Sequence, residues 1–319
     1  MRPRNAALAV LVALIWGSNF VAIRVGLDDV PPLLFLAIRF VVVCLPAVFF
    51  VRRPALPWRD LLLIGAFVSL GQFALLYVGI HLGMPPGLSS LVLQAQVLFT
   101  VVIAAVWLRE RPSQRQLLGV GLGGAGLVVI AVGRGLSSPL LPLAVVILAA
   151  VSWAIGNVLT RRVGSVSGLG LTVWTGLVVP LPALALSWVV EGPDAIAAGL
   201  AAFGWEAAVS TAYTAYLSSL VGYGIWNTLL SRHPVASVTP FAMLVPVFGM
   251  AAAALAFGER PTLLELFGGL VLLAGVATAV LRRRPKPNRP LTQSKEQLLG
   301  SRDQARRPAA SAQTGSPST

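Results

Sequence analysis

Two Trp–Asn pairs stand out in the chain. Trp16 and Asn19 are three residues apart, and Trp153 and Asn157 are four apart. Either spacing puts an indole beside an amide on one face of a helix. The indole offers an apolar wall, and the amide both donates and accepts hydrogen bonds. Such a pair can hold a small polar molecule without a fixed charge; its ordinary alternative is hydrogen bonding between membrane helices. Farther on, Tyr216, Ser219, Tyr223, Trp226 and Asn227 fall on one face of a straight helix. Gly222 and Gly224 flank Tyr223 and permit close approach or a bend. Ser69, Gln72 and the run Gln94-Ala95-Gln96 add further polar groups. In a straight helix Ser89, Gln96 and Thr100 share a face while Gln94 points away. Gln96 is therefore expected to face inward and Gln94 to make a packing hydrogen bond. We expect a substrate-binding path lined by Trp16, Asn19, Gln72, Gln96, Trp153, Asn157, Tyr223 and Trp226.

The elements that must position these residues are apolar. Of the 319 residues 56% are hydrophobic and 11% charged, and the mean hydropathy is +0.83. Soluble domains carry about 25% charged residues, so a soluble globular protein is excluded. Ten apolar runs are long enough to cross a bilayer, at 6–26, 33–51, 61–81, 86–108, 116–133, 140–160, 170–190, 207–230, 235–257 and 263–281. The first reads as a transmembrane helix rather than a signal peptide, because it lacks a clear small-x-small cleavage site. Residues 282–319 hold nine of the basic residues and two acids and cannot bury a core; a disordered, basic cytosolic tail is expected there. With the N-terminus inside, every one of the 24 basic residues except Arg24, Arg39, Arg134 and Arg260 falls on the inner side. That bias places both termini in the cytoplasm.

The chain also repeats itself. Glu110-Arg111-Pro112-Ser113 recurs as Glu259-Arg260-Pro261-Thr262, 149 positions on, and at that offset Pro85 meets Pro234, Gly119 meets Gly268, Gly126 meets Gly275 and Tyr77 meets Trp226. Trp16-Gly17-Ser18-Asn19 resembles Trp153-Ala154-Ile155-Gly156-Asn157 with one residue more. Each half then has five helices. Five is odd, so the second copy crosses the membrane upside down, an arrangement found in secondary transporters. The expected fold is all-α and integral to the membrane: ten transmembrane helices forming two inverted five-helix repeats, 1–133 and 138–281, around a central cavity.

Arg39 is the one plainly intramembrane charge. Snorkelling to the outer interface or pairing with Asp28 or Asp29 is the favoured expectation; a countercharge for a substrate carboxylate is the alternative. The glycines at 119, 121, 123, 124 and 126 suit tight helix packing. No helix centre carries Asp or Glu, so coupling through a buried carboxylate is not expected. His81 and His233 sit near helix ends. No P-loop, nucleophile–base set or metal-ligand cluster is present, so neither an enzyme nor a cofactor is expected. The lone Cys44 excludes an internal disulfide. The charge of +13 lies largely in the tail and loops, so no nucleic-acid partner is expected. The expected partners are a small-molecule substrate and the lipid bilayer; oligomeric state is left open.

Residues 1–281 resemble the EamA family of the drug/metabolite transporter superfamily. The resemblance is carried by Trp16-Gly17-Ser18-Asn19-Phe20, by Pro31-Pro32 with Arg39-Phe40, and by the two Glu-Arg-Pro turns. A more particular likeness, to the bacterial branch exporting cysteine and O-acetylserine, rests on four segments. They are the run from Gly83 to Gln96, Ser152-Trp153-Ala154-Ile155-Gly156-Asn157, Val221-Gly222-Tyr223-Gly224-Ile225-Trp226, and Leu244-Val245-Pro246. Asn227, where that branch has a glycine, and the long basic tail depart from it. The resemblance implies an inner-membrane secondary transporter that exports small amino-acid metabolites, cysteine and O-acetylserine first, or else another amino acid or a drug-like molecule.

Overall fold

The computed structural model describes residues 3–135, 138–164 and 168–280; the expected basic tail lies outside the described residues. Eleven helices follow one another, and no strand occurs among the described residues. They are α1 (Pro3–Gly26), α2 (Pro32–Val48), α3 (Trp58–His81), α4 (Pro86–Trp107), α5 (Gln114–Gly135), α6 (Leu141–Val163), α7 (Gly168–Val190), α8 (Pro193–Ala201), α9 (Trp205–Arg232), α10 (Thr239–Phe257) and α11 (Leu263–Val280). A single turn, Val235–Val238, leads into α10. Eight of these helices are long and apolar enough to cross a membrane; α8 and α9 meet the criterion only together, bent by 95°, and α2 is a shorter apolar helix. The molecule is therefore an all-helical, multi-pass membrane protein. Its outward faces agree, because Leu181, Val189, Leu255 and Leu263 stand exposed where a water-soluble surface would not tolerate so much apolar area.

An apolar run in a bilayer must satisfy its backbone internally, which makes it a helix. The ends need other partners. Ser113 and Gln116 form a reciprocal cap at the start of α5, with Ser113 N donating to Gln116 Oε1 at 2.9 Å and Gln116 N to Ser113 Oγ at 3.3 Å. Thr262 and Glu265 repeat this cap at the start of α11, at 2.7 and 3.2 Å. Two other helix starts take an acid from a distant loop. Leu33 N of α2 donates to Glu191 Oε1 at 2.7 Å, and Gly87 N of α4 donates to Glu259 Oε2 at 3.1 Å. A carboxylate at a helix N-terminus also meets the positive end of its dipole.

Four helices contain irregular turns. The backbone is π-helical at Gly65–Gly71 in α3 and Tyr213–Gly222 in α9. It is 3₁₀ at Leu93–Ala95 in α4 and Thr239–Leu244 in α10. A π turn adds a residue to the i→i+4 spiral and a 3₁₀ turn tightens it. Each therefore rotates the side chains beyond it away from where a straight helix would aim them.

Helices α5 and α11 meet through glycine, as tight packing requires. A Cβ on Gly119 would stand 2.6 Å from the Gly275 carbonyl oxygen, and one on Gly126 would stand 2.6 Å from that of Gly268. The contacts are reciprocal, at 2.7 Å from Gly275 to Gly119 and 2.8 Å from Gly268 to Gly126. As numbers rise along α5 they fall along α11, so the helices run antiparallel. Gly121 and Gly124 face open space instead.

Candidate functional site

Six of the expected site residues gather around two polar centres, and Gln72 and Trp153 join neither; a third polar centre forms around Arg39, outside that set. At the first, the Trp16 ring of α1 lies 5.1 Å from Tyr223 and 5.2 Å from Trp226, both tilted. Its indole N–H donates to the Ser218 carbonyl at 3.0 Å. Gly222 makes this possible, since a Cβ there would come within 2.6 Å of the indole nitrogen. Asn19, one turn along α1, is 6% exposed and its Oδ1 has no hydrogen-bond partner.

At the second centre, Asn157 Nδ2 of α6 donates to Gln96 Oε1 at 2.7 Å and lies 3.4 Å from Thr100 Oγ1. The Thr100 hydroxyl in turn donates to the Gln96 carbonyl at 2.7 Å. Gln94 Nε2 donates to the Ala242 carbonyl at 3.2 Å, the packing role expected of it. Trp153 packs against the main apolar core, and Gln72 is buried directly after the π turn of α3. Neither shares a ring contact or a side-chain hydrogen bond with the other two centres.

The third centre is Arg39, and here the favoured expectation fails. Asp28 pairs with Arg24, one turn away on the same helix end. Arg39 neither snorkels nor joins an acid; it is 2% exposed. Its Nη1 donates to Tyr77 Oη at 2.8 Å and its Nη2 to Ser219 Oγ at 3.2 Å. The guanidinium carbon stands 4.4 Å from the Phe73 ring centroid and 5.3 Å from that of Phe40. The physical reason is position: Arg39 lies on the face of α2 turned toward α3 and α9, whose Tyr77, Phe73 and Ser219 enclose it. Tyr77 carried one sequence signal, its match to Trp226 in the repeat, while Phe73 and Ser218 carried none.

The straight polar stripe on α9 is also corrected. Ser219 is buried but Tyr216 is 45% exposed, because the π turn between Tyr213 and Gly222 breaks the phase that would align them. The π geometry is visible in Ser219 itself, whose Oγ donates to the Thr214 carbonyl five residues back at 2.8 Å. Asn227 has a use for its departure from glycine, since its amide fills the space over Gly168, where a Cβ would meet Oδ1 at 2.5 Å.

Away from these centres, Pro85, Leu88, Met250, Glu259 and Arg260 line a cleft at the start of α4. Burial pushes the Glu259 carboxyl above its ordinary range, the Gly87 amide and Arg134 pull it back, and Glu265 pushes it further up. Glu265 is itself buried, 3.9 Å from Arg134. A buried carboxylate thus exists at a helix end.

The sequence model of the EamA-like transporter family matches residues 4–132 and 140–281. The chain belongs to this family. The EamA-like transporter is 40% identical over 282 residues to a Salmonella typhimurium protein named "Probable amino-acid metabolite efflux pump", covering 86% of this chain and 94% of that one. An Escherichia coli protein of the same name is 38% identical over 282 residues, with the same coverage. A solved crystal structure matches with a TM-score of 0.57 over 90% of this chain and 100% of its own, at 19% identity, a likeness of fold alone. Membership and the apolar helices make this a membrane transporter with a small-molecule cargo and the bilayer as its surroundings, rather than an enzyme.

Proposed function

We propose that this EamA-like transporter is a secondary exporter of small amino-acid metabolites in the bacterial inner membrane, with both termini cytoplasmic. The observation that carries the reading is the likeness, over almost the whole length of both chains, to two proteins named as amino-acid metabolite efflux pumps. Cysteine and O-acetylserine are the first candidates, on the resemblance of the segment from Gly83 to Gln96 to that branch of the family. Another amino acid or a drug-like molecule is the alternative. In this reading Trp16, Asn19, Gln72, Gln96, Trp153, Asn157, Tyr223 and Trp226 line the path. The amides meet the polar groups of a zwitterion and the rings wall off its side chain.

The working architecture is ten spanning helices in two inverted repeats, 1–133 and 138–281. It counts α2 as a span and α8 with α9 as one bent span. Three features support it. The π turn at Gly65–Gly71 carried forward by 149 falls inside Tyr213–Gly222, and the 3₁₀ turn at Leu93–Ala95 falls inside Thr239–Leu244. The Ser113–Gln116 cap recurs at that offset as Thr262–Glu265. The α5–α11 seam exchanges Gly119–Gly275 for Gly268–Gly126, as a twofold axis in the membrane plane would. Sealed proteoliposomes loaded with a panel of labelled amino acids test the function, with saturable flux expected for at least one small amino acid. Absence of flux for the whole panel overturns the reading. Single cysteines at Glu110 and Glu259 in a Cys44→Ala background test the topology; labelling of both from one face overturns the inverted repeat.

A further inference from the structure

We infer that Arg39 is the carboxylate-recognising residue of the transport path, and that its guanidinium receives the carboxylate of the transported amino-acid metabolite. The inference rests on the exporter reading above and adds the group that sets substrate charge. Arginine stays protonated in proteins and presents five N–H donors. Two hydroxyls, of Tyr77 and Ser219, take one donor each, and the buried Nε–H has no partner. No carboxylate lies within 4.0 Å of this guanidinium among the described residues. The protein therefore holds a full positive charge, 2% exposed, against neutral partners only. Isolated buried charges are costly, and the faces of Phe73, Phe40 and Tyr77 offset part of that cost through cation–π attraction. An anion is the missing partner, and a carboxylate fits the planar fork of the guanidinium.

The position suits a transported ligand rather than a static anchor. Arg39 on α2 reaches Tyr77 on α3 and Ser219 on the π turn of α9. The neighbouring residue on that turn, Ser218, holds the Trp16 indole through its carbonyl. The cation and the ring cluster thus share one irregular turn, and a zwitterion with its carboxylate on Arg39 would extend toward the rings. Ion pairing to a substrate that must leave again also explains why no acid of the protein occupies the place.

L-cysteine and cysteamine, which differ only in the carboxylate, provide the test; if the panel selects another amino acid, that molecule and its decarboxylated amine replace them. In counterflow with the full-length protein, Arg39→Gln is expected to raise the half-saturating concentration of cysteine about 10- to 100-fold and leave that of cysteamine within about twofold. Arg39→Lys should recover part of the loss. Without ligand, the Arg39→Gln thermal midpoint should be no lower than that of the parent protein, since an unpaired buried charge is removed. Should Arg39→Gln fail to fold, Tyr77→Phe and Ser219→Ala supply the same comparison at a few-fold loss for cysteine only. The unaltered protein supplies another: cysteine should raise its thermal midpoint, and cysteamine or chloride should not. Equal loss of both molecules, an unchanged cysteine response in Arg39→Gln, or stabilisation by chloride but not cysteine overturns the inference. Parent vesicles that move no amino acid overturn the exporter reading instead, so the two failures are distinguishable.

Discussion

The two Trp–Asn pairs have the same composition and nearly the same spacing, yet they are held differently. On α6, the Asn157 amide is bound to Gln96 and lies beside Thr100, while Trp153 packs into the apolar core. On α1, the Asn19 oxygen is buried without a partner, while Trp16 is fixed by two rings and the Ser218 carbonyl. In one pair the amide is satisfied and the indole is structural; in the other the indole is fastened and the amide is free. The difference teaches that the two amides are not equivalent in this structure, and that the one buried without a hydrogen-bond partner for its oxygen is on α1.

The largest expected effects break this comparison directly. Asn19→Leu and Asn157→Leu should each reduce amino-acid flux more than about tenfold, because both remove a polar group from the proposed path. Their stabilities should diverge. Asn157→Leu strands the Gln96 oxygen and should lower stability by about 1–3 kcal/mol. Asn19→Leu removes an acceptor that has no donor and should leave stability unchanged or raise it. Flux and thermal midpoints of the two purified variants check this; normal export by both would make them packing groups and remove the centre of the proposed path.

The glycine seam gives the next effect and a symmetric contrast to the asymmetric pairs. Gly126→Ala should lower stability by roughly 1–2 kcal/mol, within ordinary overpacking costs, because its Cβ would press on the α11 backbone. Gly121→Ala, on the open side of the same helix, should be neutral or slightly stabilising. Equal thermal shifts for the two would mean that α5 and α11 are not in close contact. Trp16→Phe comes third. It keeps the rings but loses the N–H bond to Ser218, at an expected ~1 kcal/mol, and chemical denaturation of Trp16→Phe against Trp153→Phe should show the loss only in the first.

The smallest effect is a pH dependence at the loop before α11. The Glu259 carboxyl holds its proton more tightly in the folded protein than its ordinary value of 4.5. The folded state then binds more protons than the unfolded chain between that value and the raised one. Its stabilising contribution is present at pH below 4.5 and is lost as pH rises through the folded value. Glu259→Gln should flatten this decline of thermal midpoint with rising pH. An unchanged slope would show that Glu265 or another acid carries it.

What could be read from the order of residues was whatever depends on neighbours along the chain. Apolar length specified helices, because a bilayer leaves the backbone no other partner. Gly119 and Gly126 announced a close seam; the reciprocal caps of Ser113 with Gln116 and of Thr262 with Glu265 were found only in the structure. The family was legible for the same reason, in continuous segments such as that from Gly83 to Gln96. The fate of Arg39 was not legible, because it depends on Tyr77 and Ser219, which lie 38 and 180 positions away. The stripe on α9 was misaligned because periodicity assumes a constant turn, and the π turn from Tyr213 to Gly222 is not one. The two Trp–Asn pairs look alike in one dimension; folding alone gave Asn157 a partner and left Asn19 without one, since a side chain's hydrogen bonds are settled by whichever helices pack beside it.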